Sequence, residues 1–254
     1  MISYGKINHS QGIRFFLIVL LTGCYAGCAY INPFIENIDM VSLSQEKQLS
    51  QQISTEVSKT KTIVNDPAKV DLVRRIGNRL VAALPRKDFD YQFYVVSDNT
   101  PNAFTIPGGI VYVHTGLLDF VDDESELAGV IGHEIGHAYD RHPTKTLTRA
   151  YGVSYLTNLL FKNDPNQFRK ITLQLAAGGI LTKYSRDEER EADDIGFYLL
   201  KKAGYPSDGL LRFFRKLDRA AGKQTIPAFL SDHPATQERI ARLEALEKNP
   251  VPAG

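Results

Sequence analysis

The spacing of apolar positions predicts a mostly helical chain behind an N-terminal leader. Helical spacing and helix-start signals predict helices over residues 43–64, 66–84, 123–139, 144–161, 168–184, 186–203, 207–221 and 235–247. Alternation of apolar and polar positions predicts strands over residues 91–96 and 109–114. These elements predict an α+β fold class, a mostly helical domain with a small β-sheet.

The first 23 residues have the pattern of a secretory signal peptide. Two basic residues, Lys6 and Arg14, precede an apolar run over residues 15–21, which is shorter than the roughly 20 residues of a bilayer span. The run ends in Leu21-Thr22-Gly23-Cys24, which resembles a bacterial lipobox. We therefore expect cleavage before Cys24 and lipidation of this cysteine. The alternatives are a simple signal peptide cleaved nearby and a short membrane anchor.

This leader divides the chain into residues 1–23, the lipoprotein signal peptide, residues 24–41, the lipidated N-terminus and tether, and residues 42–250, the folded domain. Tyr25 follows the cysteine in place of aspartate, so the inner-membrane retention signal of enteric-type lipoproteins is missing. We therefore expect a lipid-anchored protein on the periplasmic face of the outer membrane. Cys28 would then be an odd thiol.

The charge of the chain is nearly balanced. The sequence has 30 basic and 29 acidic residues, which gives a formal net charge of +1. A chain with so little net charge has no electrostatic footprint for nucleic acid. We expect no nucleic-acid partner.

The strongest chemical signal is the pentapeptide over residues 133–137, which reads H-E-I-G-H. On a helix, residues four apart project from one face, so His133 and His137 can bind the same metal ion. The intervening Glu134 can polarise a water molecule beside that metal. This is the H-E-x-x-H pattern of zinc peptidases, in which two ligands and a general base occupy five residues.

A third ligand is predicted on the helix over residues 186–203. Glu189 and Asp193 are four residues apart, so their carboxylates share a face and repel by roughly 0.2–0.5 kcal/mol unless a cation lies nearby. Glu189 as the third zinc ligand, with Asp193 accepting a hydrogen bond from a ligand histidine, fits this spacing. The alternative is a solvated face paired with neighbouring arginines. We expect one Zn²⁺ per chain, bound by His133, His137 and Glu189.

Several ordered motifs resemble a known family. Besides H-E-x-x-H and the glutamate motif over residues 189–193, the sequence contains Asn102-Ala103-Phe104, Pro107-Gly108-Gly109, Thr115-Gly116-Leu117-Leu118, Arg141-His142, Asp232-His233-Pro234 and Arg239-Ile240. Together they cover most of the chain from about Leu49 to Arg242. The chain resembles the HtpX- and BepA-type gluzincin metallopeptidases (family-48 metallopeptidases), in particular their short lipoprotein members of the LoiP and YcaL type. The resemblance implies a zincin-type metallopeptidase domain over residues 42–250.

The resemblance also implies a substrate strand. It suggests that Asn102, Ala103, Phe104, Gly108 and Gly109 bind an extended peptide by main-chain hydrogen bonds, with little sequence preference. Glycines would let the substrate backbone approach closely. On these residues alone, an ordinary turn followed by a core strand is the alternative.

The resemblance further places His233 near the zinc. Two roles are open: a donor that stabilises the oxyanion, and a fourth ligand that displaces the catalytic water and holds the enzyme off. The alternative is a loop histidine that closes a turn. Of the other histidines, His142 points away from the ligand face, so a hydrogen-bonding or capping role is favoured, and His114 is expected to be structural.

The motifs and the resemblance together predict a zinc-dependent endopeptidase of the bacterial envelope, with Glu134 as the general base. The resemblance implies misfolded or stalled outer-membrane and periplasmic proteins as substrates, a membrane contact through the N-terminal lipid, and a contact with the outer-membrane assembly machinery. The alternative function is a periplasmic, chaperone-like assembly partner of the β-barrel machinery in which proteolysis is latent.

Overall fold

The structure, a computed structural model, describes residues 41–162, 166–167, 170–171, 183–221, 228–234 and 237–248. The signal peptide, Cys24, the tether up to residue 40, most of the predicted helix over residues 168–184 and residues 249–250 lie outside the described residues. All described residues belong to one compact unit that begins at Val41. Val41 is only 4% exposed and belongs to the core.

The described elements follow in chain order. They are α1 Leu43–Thr60, α2 Pro67–Ala82, β1 Gln92–Val96, β2 Ala103–Ile106, β3 Ile110–His114, α3 Thr115–Phe120, α4 Glu124–Tyr139, α5 His142–Tyr151, α6 Val153–Lys162, α7 Arg186–Lys202, α8 Gly209–Ala221, α9 Ala228–Asp232 and α10 Gln237–Lys248. The predicted α+β class, mostly helical with a small sheet, is confirmed.

Several predicted boundaries are wrong. The first helix ends at Thr60 rather than at residue 64, because the chain becomes extended and Ile63 forms a bridge with Val96. The predicted helix over residues 144–161 is two helices, α5 and α6. Gly152, with φ of +79°, separates them, because this backbone conformation is left-handed and suits glycine. Among the described helices, none is both long and apolar enough to cross a membrane.

The three strands form one sheet in the order β1-β3-β2, with β1 parallel and β2 antiparallel to β3. One face of the sheet packs into a core with α2, α4 and α8, and the other packs against α1, α5 and α6. All residues of β2 and β3 are buried. Because β2 lies at the end of the strand order, its outer side is a sheet edge.

The helices α4 and α7 touch through their backbones. A Cβ atom added at Gly136 would lie 2.8 Å from the carbonyl oxygen of Ala192, and one added at Gly196 would lie 3.0 Å from the amide nitrogen of His133. Side chains at these glycines would force the helices apart. The close approach brings the acidic face of α7 against the H-E-x-x-H face of α4.

Both helices have well-defined starts. Asp123 caps α4 by accepting hydrogen bonds from the amides of Ser125 and Glu126, and Ser185 forms a reciprocal capping box with Glu188 at the start of α7. The Glu126 carboxylate accepts from the Asp122 amide instead of completing a capping box on α4. These caps set where each helix begins and therefore which residues face each other.

Candidate active site

Four buried side chains converge between α4 and α7. The Nε2 atoms of His133 and His137 on α4 lie 3.0 Å apart. The carboxylate of Glu189 on α7 lies 3.5 Å from the first of these nitrogens and 3.7 Å from the second. His233, which follows α9, places its Nδ1 3.2 Å from His133 Nε2 and 3.0 Å from Glu189 Oε1. One ligand atom from each of the four residues lies within 4.8 Å of all the others, so the cluster brings together His133, His137 and Glu189 as well as His233.

A second layer of charged groups surrounds this cluster. Asp193 Oδ1 lies 3.0 Å from His133 Nδ1, on the side of the ring that faces away from the cluster. Arg239 on α10 donates to both oxygens of Asp193 at 2.7 Å, and its Nη1 lies 2.7 Å from Glu189 Oε2. In the sequence, Arg239 was visible only as part of a family motif. The structure shows it joining the two carboxylates of α7.

The electrostatics of the cluster suit a cation. Burial opposes the ionisation of Glu189, but His233 and Arg239 outweigh it and hold the pKa of this carboxyl well below its usual value. Burial, together with the charge of His133, holds the pKa of His137 well below its usual value, so this imidazole is neutral, as a metal ligand must be. Burial also opposes protonation of His133, but Asp193 and Glu189 raise its pKa to about 9. The cluster therefore stabilises positive charge, and its nitrogen and oxygen donors are those that Zn²⁺ takes.

Glu134 lies beside the cluster and is fully buried. Neither of its carboxylate oxygens has a hydrogen-bond partner among the described residues, although His233 Nε2 lies 3.4 Å from Oε1. Burial raises the pKa of this carboxyl. A buried carboxylate without a partner is costly unless a ligand satisfies it, and a raised pKa suits a group that takes up and releases a proton near neutral pH.

A cavity of about 200 Å³ opens beside Glu189. Its lining residues are Tyr184, Arg186, Glu189, Arg190, Pro234, Glu238 and Arg239. The ring of Tyr184 stacks on that of His137 with 3.9 Å between ring centroids. No sequence motif distinguished Tyr184 from the other tyrosines, because its place beside the cluster depends on tertiary packing.

The predicted substrate residues fall into two groups. Ala103 and Phe104 lie on the edge strand β2 and are buried. Asn102 immediately precedes the strand, and its side chain donates to Asp232 Oδ2 at 3.0 Å. Since Asp232 is the neighbour of His233, this end of β2 is tied to the segment that carries the fourth member of the cluster.

Gly108 and Gly109 have reasons within the chain to be glycine. Both have positive φ, at 83° and 85°. A Cβ at Gly108 would lie 2.6 Å from Cβ of Ser50 on α1, and the Gly108 amide donates to Glu46 Oε1 at 3.1 Å. A Cβ at Gly109 would lie 3.0 Å from Cβ of Phe89. Their role in substrate binding stays a prediction.

The remaining histidines of the folded domain lie outside the cluster. The Nδ1 atom of buried His142 is 2.9 Å from Nδ1 of His137, which confirms the predicted hydrogen-bonding position, and burial lowers the pKa of His142 to about 4. His114, at the end of β3, lies 3.1 Å from the hydroxyl of Thr100 through its Nδ1.

An α+β domain that joins an H-E-x-x-H helix to a glutamate from a second helix defines a metallopeptidase. The model of peptidase family M48 matches residues 67–247, and the chain belongs to this family.

Three relatives illustrate the family. The chain is 30% identical over 208 residues to mitochondrial metalloendopeptidase OMA1 of Schizosaccharomyces pombe, covering 80% of this chain and 61% of that protein. It is 29% identical over 225 residues to the beta-barrel assembly-enhancing protease of Yersinia pestis, covering 84% and 46%. It is 36% identical over 157 residues to metalloprotease YcaL of Escherichia coli K12, covering 61% and 60%. The chain thus spans about half of the length of these relatives.

Proposed function

We propose that the chain is a zinc-dependent endopeptidase in which His133, His137 and Glu189 bind one zinc ion and Glu134 is the general base. The observation that carries this proposal is the convergence of buried nitrogen and oxygen donors beside a buried Glu134 carboxylate that has no hydrogen-bond partner among the described residues. A buried carboxylate of this kind destabilises the fold unless a ligand binds to it, so its presence indicates a functional role.

The chain's own residues account for the proton transfers. When bound, zinc supplies a Lewis acid that acidifies water and polarises the scissile carbonyl. Glu134 accepts the proton of the attacking water and delivers it to the leaving amine. Asp193, fixed by Arg239, orients His133 through its Nδ1. The proposed substrate strand is β2, which would bind an extended peptide by main-chain hydrogen bonds once its outer side, which is buried, is uncovered. Asn102 ties the start of this strand to the segment of His233, so a peptide bound there would lie near the cluster.

A zinc-content measurement tests the ligand set. We expect the purified wild-type protein to contain about one zinc ion per chain and to cleave an unfolded test protein. A chelator is expected to abolish cleavage, and added zinc to restore it. Glu189→Ala is expected to lose most of its zinc at stoichiometric metal, because one of three ligands is gone. Asp187→Ala, on the same helix but 76% exposed, is the matched control and is expected to keep its zinc. Full zinc occupancy in Glu189→Ala would contradict the third-ligand assignment.

The envelope is the proposed place of action. The signal-peptide pattern, the lipobox-like Leu21-Thr22-Gly23-Cys24 and the relatives named beta-barrel assembly-enhancing protease support a lipid-anchored protein on the periplasmic face of the outer membrane. Its proposed substrates are misfolded or stalled outer-membrane and periplasmic proteins, and its proposed partners include the outer-membrane assembly machinery.

Replacement of Cys24 tests the anchor. In a bacterial host, the wild-type protein is expected to incorporate a fatty-acid probe and to sediment with outer membranes, whereas Cys24→Ala is expected to do neither. Cys28→Ala is the matched control, since it removes the other cysteine of the chain. If Cys28→Ala abolishes labelling and Cys24→Ala does not, the lipidation site is Cys28.

The geometry favours a gating role for His233. Its Nδ1 lies within the ligand cluster, 3.2 Å from His133 Nε2, and its ring stacks on Phe229 with centroids 4.8 Å apart. When zinc is bound, a nitrogen at this place would compete with water as a further ligand. We propose that His233 holds the resting enzyme in a latent state, and that substrate displaces it.

The His233→Ala variant separates the two roles. If His233 is a gate, basal proteolysis and self-cleavage are expected to rise, with zinc content unchanged. If it is an oxyanion donor, kcat is expected to fall by about 10²-fold or more. An unchanged rate together with unchanged zinc affinity would exclude both roles. The measurement is cleavage of an unfolded test protein at equal zinc loading.

A further inference from the structure

A buried histidine lies behind His137, on the side that faces away from the ligand cluster. The Nε2 atom of His137 points into the cluster, 3.0 Å from His133 Nε2, and its Nδ1 lies 2.9 Å from Nδ1 of His142. The other ring nitrogen of His142 lies 3.0 Å from Glu191 Oε2. His137 on α4, His142 on α5 and Glu191 on α7 therefore form a continuous hydrogen-bond network that ends at the protein surface.

The proposed zinc site determines which ring nitrogens of this hydrogen-bond network carry protons. A neutral imidazole carries one N–H and one lone pair. If His137 gives its Nε2 lone pair to the metal, its proton is on Nδ1 and must be donated to Nδ1 of His142. His142 then carries its own proton on Nε2, which donates to Glu191. Each N–H donor then faces one acceptor, so the hydrogen-bond network fixes a single tautomer for each ring.

We propose that His142 is a positioning residue that fixes the tautomer and ring orientation of the metal ligand His137, with Glu191 in turn fixing His142. This inference rests on the proposed zinc site. It gives His137 a counterpart to the Asp193 carboxylate that lies 3.0 Å from Nδ1 of His133. Outer partners of this kind orient a metal ligand and increase its basicity.

A second cation is the competing interpretation of the same residues. Asp140, His142 and Glu191 offer ligand atoms within 4.8 Å of one another. However, a cation on Nε2 of His142 would leave its proton on Nδ1, so that two N–H groups would face each other between His142 and His137 across 2.9 Å. A cation on Nδ1 would remove the acceptor that His137 needs. A cation bound to His142 and zinc bound to His137 therefore exclude each other. If His137 binds zinc, the hydrogen-bond network is the favoured interpretation of His142 and Glu191.

The tautomer of His142 can be measured directly. In the full-length, zinc-loaded protein with ¹⁵N-labelled histidine rings, two-bond ¹H–¹⁵N correlation spectra distinguish the two neutral forms. We expect His142 to carry its proton on Nε2, with Nδ1 unprotonated. A proton on Nδ1 of His142 would overturn the proposal.

Zinc affinity provides a second, independent measurement. His142→Leu removes the acceptor and is expected to weaken zinc binding by about 10- to 100-fold in competition with a chelator. His142→Asn places an amide near the position of Nδ1 and is expected to recover most of this loss. His114→Asn removes another buried histidine, which is not part of the hydrogen-bond network of His142. This variant is expected to bind zinc like the wild type. If His142→Leu retains wild-type affinity, or if the asparagine variant binds no better than it, the proposal fails.

The Glu191→Ala variant tests the solvent-exposed end of the hydrogen-bond network. Its effect on zinc affinity is expected to be smaller than that of His142→Leu, because the Glu191 side chain is 55% exposed and water can replace its carboxylate. A second zinc ion per chain that disappears in Glu191→Ala would instead support the competing cation site. If His142→Leu does not fold, the tautomer of the wild type and the affinity of His142→Asn still decide the question.

These outcomes are separable from the proposed function. If the wild-type protein binds no zinc, or if substitution of His133 and His137 leaves binding unchanged, the zinc site itself is wrong. If the wild type binds zinc through these residues but His142→Leu binds equally well, only the positioning role of His142 is wrong.

Discussion

The Glu134→Gln protein is expected to lose about 10²- to 10⁴-fold in kcat while it keeps its zinc. Glutamine has nearly the same size as glutamate, so the packing of the buried site is preserved, but its amide cannot accept a proton from water. Because Glu134 is not one of the four cluster residues with converging ligand atoms, metal content should not change. Cleavage of an unfolded test protein, with zinc determined on the same sample, measures both quantities.

A matched control lies on the same helix. Glu126 is also buried on α4, but its carboxylate bonds the Asp122 amide and faces Arg212. Glu126→Gln is expected to keep its activity, although its stability falls. If Glu134→Gln cleaves substrate as fast as the wild type, the general-base assignment is wrong.

The Glu134→Gln variant also distinguishes the protease function from the chaperone-like alternative. If cells that carry Glu134→Gln lose envelope function and the protein retains bound substrates, proteolysis is the function. If envelope function is kept, the chaperone-like alternative is favoured. Identification of the retained proteins would name the substrate class.

Local spacing explains why the centre of the site could be predicted from the sequence. His133 and His137 must share a face of any helix that contains both, and Glu189 with Asp193 repeats the same spacing on α7. No long-range information is needed to find these pairs. Their contact depends on the glycines at 136 and 196, which let the two helices touch, and this packing cannot be inferred from either helix alone.

Other parts of the site depend on distant segments. His233 was placed near the metal only by resemblance, because 100 residues separate it from His133. The short strand β2 has no alternation to reveal it, since all four of its residues are buried. Gly152 separates α5 from α6, but an isolated glycine within an apolar helical pattern does not by itself predict a break.

The Arg239→Leu protein is expected to lose about 3–5 kcal/mol in its free energy of unfolding when metal-free. Arg239 is buried and donates to both oxygens of Asp193 at 2.7 Å, while its Nη1 lies 2.7 Å from Glu189 Oε2. Its removal leaves the buried Asp193 carboxylate without its main compensating charge and deprives the Glu189 carboxylate of one of the two charges, His233 and Arg239, that favour its ionisation. Zinc affinity is also expected to fall, because Asp193 would no longer be fixed against His133.

An exposed pair on the same two helices provides the control. Arg242 donates to both oxygens of Asp194, and these side chains are 42% and 40% exposed. Arg242→Leu is expected to cost no more than about 1 kcal/mol, because solvent screens the pair. Urea unfolding of both metal-free variants gives the comparison. Arg239→Lys keeps the charge but loses the planar fork, so an intermediate loss is expected. If Arg239→Leu and Arg242→Leu unfold at the same urea concentration, Arg239 does not compensate the carboxylates of α7, and the negative charge beside the proposed zinc ligands must be balanced by other groups.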